Sequence, residues 1–227
     1  MRKLRVLFVT SLLISVAASA NAITFTGTYQ GISGQVVNVT VNSATYNVWG
    51  GRIEWGRTYI SPALPADTAY TYCVDIASAV ISPGTFTFST TGNPGSPLPA
   101  GITAASLQNA GFLLQQFNSW AVDADHRAAL QLGIWRVAYG NLTFNSVPAN
   151  VQNLFNSLSA ATSGFTTFST TESAGLWRPL DPANNQYQIE YIPGGAGEGD
   201  PVPEPFTMGL VAAAALAALK RRTIKKA

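Results

Sequence analysis

One cysteine, one histidine and four lysines serve the whole 227-residue chain, and none of the lysines falls between Ile23 and Val202. The lone cysteine, Cys73, has no partner for a disulfide within the molecule. Cys73 and His126 cannot build a zinc site without two carboxylates beside them, so neither a metal nor a cofactor is expected. Basic residues are scarce too. Ile23 to Val202 holds Arg52, Arg57, Arg127, Arg136 and Arg178 against ten acidic residues, a formal −5, although the whole chain carries +2. Five scattered arginines make no basic face, which excludes a nucleic-acid partner.

The missing positive charge sits at the ends. Arg2, Lys3 and Arg5 precede the mostly apolar run Val6 to Val16, and Ala20-Asn21-Ala22 supplies a small-x-small cleavage pattern. Residues 1–22 therefore read as an export signal removed after Ala22. The apolar stretch is shorter than the ~20 residues of a membrane-spanning helix, which argues against an uncleaved anchor.

At the other end Val202-Pro203-Glu204-Pro205 is followed by the apolar segment Phe206 to Leu219 and by Lys220, Arg221, Arg222, Lys225 and Lys226. As a helix, residues 206–219 would be about 21 Å long, a thin anchor for a hydrocarbon core of about 30 Å. The basic cluster holds its end on the cytoplasmic side. Residues 202–227 resemble the PEP-CTERM sorting signal of Gram-negative bacteria. The resemblance implies recognition by an exosortase, a membrane transpeptidase, with processing near Glu204-Pro205. It also implies an inner-membrane intermediate and a final place on the cell surface or in an exopolysaccharide matrix.

Between these ends lies enough chain for one domain with a substantial core, residues 23–193. Residues 194–201, Gly-Gly-Ala-Gly-Glu-Gly-Asp-Pro, cannot bury a face and read as a flexible linker. Ile23 to Tyr29, Gln35 to Val41, Thr45 to Trp49, Arg52 to Trp55, Ala69 to Ala77 and Thr85 to Ser89 are strand-like, and Gly50-Gly51 suits a hairpin turn. After the Pro/Gly-rich loop Gly92 to Gly101 the period changes. Leu107, Ala110, Leu113, Leu114 and Phe117 repeat at helical spacing, a second helix starts near Asp123 as cap, and Val151 to Leu158 adds a helical turn before Gln186 to Ile192 returns to strand. The expected class is α+β: a β-sandwich or barrel with a helical insertion.

On the helix Asp125 to Tyr139, Gln131, Trp135 and Ala138 form one strip beside Leu130, Ile134 and Val137, which places a glutamine amide on or next to an apolar face. Such an amide is unfavourable there unless it finds hydrogen-bond partners. Tyr72-Cys73-Val74-Asp75, together with Gln131-Leu132-Gly133-Ile134-Trp135, resembles the thioester domains of bacterial surface adhesins. In that family a strand cysteine joins the glutamine of a Gln-x-Ala-Ile-Trp-like motif; Gly133 replaces the usual alanine. The resemblance implies a Cys73–Gln131 thioester supported by Tyr72, Asp75, Ile134 and Trp135. It implies self-reaction rather than turnover, with surface-protein amines or exopolysaccharide hydroxyls as covalent targets.

Each residue also has an ordinary reading: Cys73 as a small buried hydrophobe, Gln131 as a boundary glutamine, Trp135 as a core aromatic. Two other functions use the same residues. A Cys73/His126 hydrolase has the nucleophile and base types but no local signature. A carbohydrate-binding or structural matrix protein would keep Cys73 as a free thiol and offer Trp49, Trp55, Trp120 or Trp177 as sugar-stacking faces. His126, five positions before Gln131, is expected to be an exposed first-turn residue. The absence of lysine fits a domain that holds a reactive acyl group, because arginine keeps the charge without a nucleophilic amine.

Overall fold

The computed structural model describes residues 23–77, 84–91, 98–162, 175–180 and 186–191. The export signal with Ala22, the linker and the sorting segment with Val202, Pro203, Glu204, Pro205 and the helix at 206–219 lie outside them.

The chain begins with two long strands, β1 (Thr24–Val41) and β2 (Ala44–Ser61), paired antiparallel along their length. Asn42 and Ser43 join them with φ of 50° and 67°. Positive φ at both central positions is the turn geometry that matches strand twist, and asparagine tolerates it better than most residues. This corrects the expectation of a turn at Gly50-Gly51, which lies within β2 instead. Those glycines serve a different need. Gly34 faces Gly51 across the pair, and a Cβ on Gly34 would run into the Gly50 carbonyl oxygen. The two backbones press together there, so no side chain fits. The expected break between 29 and 35 is a bulge in β1, a register shift between Tyr29 and Gly31.

Five shorter strands follow: β3 (Asp67–Cys73), β4 (Thr85–Thr91), β5 (Thr143–Ser146), β6 (Gly175–Pro179) and β7 (Gln188–Glu190). The pairings run β1-β2-β3-β7-β6-β4 and back to β1, all antiparallel, so six strands form a closed ring. Closure gives each of these strands a neighbour on both sides over part of its length, while the far half of β2, Ala44 to Gly51, pairs with β1 alone. The seventh, β5, pairs with β1 at Asn38 to Thr40. Helices α1 (Ala104–Phe117) and α2 (Ala124–Tyr139) lie between β4 and β5, and α3 (Ala149–Thr162) between β5 and β6. The α+β class with inserted helices is therefore as expected.

Inside the ring Trp55, Trp177, Phe25 and Phe88 are wholly buried, with Phe25 and Trp177 edge-on at 4.5 Å between ring centroids. Trp55 and Trp177 are core residues, which removes them as sugar-stacking candidates. Arg57 enters this aromatic cluster between Asp67 and Glu190, 2.7 Å from each.

Helix α2 passes between two cores. Asp123 caps it, accepting from the His126 backbone N–H at 2.9 Å, and Gly140 ends it at φ 72°. Ala128, Ala129, Leu132 and Trp135 pack with the barrel interior, while Leu130, Ile134 and Ala138 pack with α1, α3 and the outer face of β3. A helix covered on both sides places Gln131 fully inside, beyond the half-buried position its spacing suggests. Gly133 allows this. A Cβ there would lie 2.8 Å from Leu158 Cδ2 and 3.0 Å from Leu113 Cδ2, so the glycine lets α1 and α3 close on α2.

Candidate functional site

Strand β3 ends at Cys73, four residues before the expected limit of Ala77. That end builds the site. Val74 donates its N–H to the Tyr187 carbonyl at 2.9 Å, so by antiparallel alternation the N–H and C=O of Cys73 point the other way, toward β2. Pairing with β2 has already stopped at Arg52–Tyr72. Two buried backbone groups of Cys73 would be left without partners.

Gln131 satisfies both. Its Oε1 accepts from the Cys73 N–H at 3.0 Å and its Nε2 donates to the Cys73 carbonyl at 2.8 Å. The amide thus stands in for the missing strand, in a residue with no solvent exposure. Gly50 lies over it: a Cβ on Gly50 would be 3.7 Å from Gln131 Cγ and 3.6 Å from Trp135 Cζ3. The two residues separated by 58 positions in sequence are therefore brought together, side chain to backbone.

The sulfur itself faces two glutamines that the sequence reading missed. Cys73 and Gln188 are directly opposite across β3 and β7, in the non-hydrogen-bonded position where side chains are closest. Gln188 Nε2 donates to Cys73 Sγ at 3.7 Å, and the thiol lies against Gln186 Oε1. All three side chains are buried, Gln188 completely. The available signal was the alternation Gln186-x-Gln188-x-Glu190 in a predicted strand, which puts a polar row on one face.

Burial pushes the Cys73 thiol up to about 12; the Gln188 hydrogen bond opposes this and the Asp75 charge adds to it. A thiol raised this far keeps its proton at neutral pH.

The supporting residues divide between the cores. Tyr72 and Ile134 pack on the outer, helix-covered side of β3, and Trp135 packs inside. Tyr72 Oη and Trp135 Nε1 are buried with no hydrogen-bond partner among the described residues. Asp75 fixes the chain just after Cys73: its carboxylate accepts from the Ala77 N–H at 2.9 Å, and Tyr139 Oη accepts from the Ile76 N–H at 3.1 Å. His126 stays with its own helix end. Its Nδ1 lies 2.8 Å from Asp123 Oδ1 and its ring stands edge-on to Trp120, so it is half-buried rather than exposed.

The chain matches no protein-family model, no curated protein and no solved structure.

Chemically the arrangement suits acyl transfer. A backbone N–H aimed at a side-chain carbonyl oxygen polarises that carbonyl and is placed to stabilise the oxyanion that a nucleophile would create. The residue that supplies the N–H also carries the chain's one thiol. Among the tryptophans weighed for sugar stacking, Trp49 is 54% exposed and Trp120 half-buried, so Trp49 alone offers an open indole face.

Proposed function

We propose that the chain is an exported surface or matrix protein whose barrel domain forms an internal thioester between Cys73 and Gln131. The bond would attach the protein covalently to an amine- or hydroxyl-bearing partner. In forming it the Cys73 S–H bond breaks, sulfur bonds to Gln131 Cδ, and the Cδ–Nε2 bond breaks. The thiol proton leaves with the nitrogen as ammonia. When a partner amine attacks, a new N–Cδ bond replaces the S–Cδ bond and one amine proton passes to sulfur. Nothing is turned over, so the protein is spent by its one reaction.

The observation that carries this reading is the Cys73 N–H held 3.0 Å from Gln131 Oε1 in a site without solvent. An acyl-thioester needs both an activated carbonyl to form and shelter from water to persist.

Intact mass tests it. Freshly purified protein comprising residues 23–202 should weigh one ammonia less than its sequence, with no thiol titratable until the protein is treated with methylamine. Peptide mapping should place the missing nitrogen at Gln131. A mapped loss at Gln186, which also touches the sulfur, would move the cross-link. Full mass with a free Cys73 would remove the covalent mechanism and leave the matrix-protein reading, with Trp49 as its exposed aromatic.

Export and sorting belong to the same proposal and rest on residues 1–22 and 202–227. An exosortase that reads Val202-Pro203-Glu204-Pro205 should fail on Glu204→Ala, and so should a chain lacking residues 220–226. Both variants are expected to accumulate unprocessed in the inner-membrane fraction of the host. Normal size and normal surface display for both would overturn exosortase handling.

A further inference from the structure

Trp55, Thr71, Cys73 and Gln188 share the inner face of the barrel. Trp55 lies across from Ala69, two residues along from Thr71; Cys73 is two further on, and Gln188 faces it. The hydrogen bonds among them have one direction. An indole N–H can only donate, so the 2.9 Å bond from Trp55 Nε1 makes the Thr71 hydroxyl oxygen an acceptor. With its one proton the Thr71 hydroxyl donates to Gln188 Oε1, 3.0 Å away. That turns Gln188 Nε2 toward the sulfur, 3.7 Å from Cys73 Sγ and 3.5 Å from Gln186 Oε1. Both Nε2 protons and the amide oxygen are thereby used. A flipped amide would point an N–H at the proton of the Thr71 hydroxyl and set its oxygen against Gln186 Oε1, two clashes in place of two bonds.

We propose that Gln188 is the hydrogen-bond donor to the reacting sulfur, and that Thr71 and Trp55 are the positioning residues that keep its donor side turned to Cys73. This rests on the thioester reading and deepens it. As Cys73 attacks Gln131, and again when an incoming amine displaces it, sulfur carries negative charge before its proton is settled. An N–H fixed on the sulfur lowers both barriers, whereas Gln186 Oε1, an acceptor, can hold only the protonated thiol. A donor chain that begins at a donor-only indole in the core cannot reverse during the reaction.

The test compares Gln188→Met, which keeps the shape and removes the donor, with Thr71→Val and Thr71→Ser. Methylamine is the probe, and release of the Cys73 thiol is the readout. Gln188→Met is expected to slow opening about 10- to 100-fold, the rate equivalent of one hydrogen bond to a charged group. Thr71→Val should slow it as well, while Thr71→Ser, which keeps the hydroxyl, should restore most of the rate. Urea unfolding of each variant separates this from general loosening, which would not distinguish serine from valine in that order. Should Gln188→Met fail to fold, the threonine pair decides. Should the parent carry its full mass, the thioester reading fails by itself. The same variants are then compared by iodoacetamide alkylation of the free Cys73 at mildly alkaline pH, where removing the donor is expected to slow reaction by a similar factor. Unchanged rates in a folded Gln188→Met, or valine and serine behaving alike, would overturn the assignment.

Discussion

Cys73→Ala is expected to lower the unfolding free energy by about 1–3 kcal/mol, and Gln131→Ala by a further ~2–6 kcal/mol, although each removes the same single cross-link. The common loss comes from the unfolded state. A bond between residues 58 apart restricts the unfolded chain by about 4 kcal/mol on the loop-entropy model. The difference comes from the folded state. With Cys73→Ala the Gln131 amide keeps its nitrogen and pairs with both the backbone N–H and C=O of residue 73, which offsets ~1–3 kcal/mol of that loss, because in the cross-linked parent Nε2 has left and the C=O has lost this partner. With Gln131→Ala both backbone groups stay buried and unpaired, at ~1–3 kcal/mol each. The combined loss approaches the whole stability of an ordinary domain, so Gln131→Ala should be recovered largely unfolded. Urea titration of the parent and the two variants checks both parts. Equal losses for the two variants would mean that the Gln131 amide does not hold the end of β3.

The legible part of this site was the part written in short stretches of chain. Tyr72 to Asp75 and Gln131 to Trp135 each carry a recognisable local pattern, and the structure places Gln131 on Cys73. Gln186 and Gln188 reach the sulfur from more than a hundred positions away, through the pairing of β7 with β3, and no local pattern announces that pairing. The same limit governed the fold. Asp123 and the helical period of α1 are local and marked their elements well. β5 and β6 are four and five residues long and exist because β1, β4 and β7 accept them, so they passed unread. Gly50-Gly51 looked like a turn for a related reason. Glycine meets a need for positive φ and a need for close backbone approach equally well, and only the facing Gly34 tells which applies.

Arg52→Lys is expected to consume the thioester from within, whereas Arg136→Lys should leave it as long-lived as in the parent. Residues 23–202 contain no lysine, while their five arginines remain protonated and are poor nucleophiles at neutral pH. Arg52 pairs with Tyr72 at the last β2–β3 position, one residue from Cys73, and is held over the Tyr70 ring at 4.4 Å. An amine placed there starts next to the point where Gln131 takes over from β2. Arg136 is exposed on α2, five residues from Gln131 and on another side of the helix. Attack by the amine introduced at position 52 would join its nitrogen to Gln131 Cδ, release Cys73 and pass one amine proton to sulfur. The signature is therefore specific: intact mass stays one ammonia below the sequence while one thiol becomes titratable, and peptide mapping finds an amide between residues 52 and 131. Hydrolysis would instead add one water. If Arg52→Lys left the thioester lifetime unchanged in a folded protein, the lack of lysine would reflect composition alone.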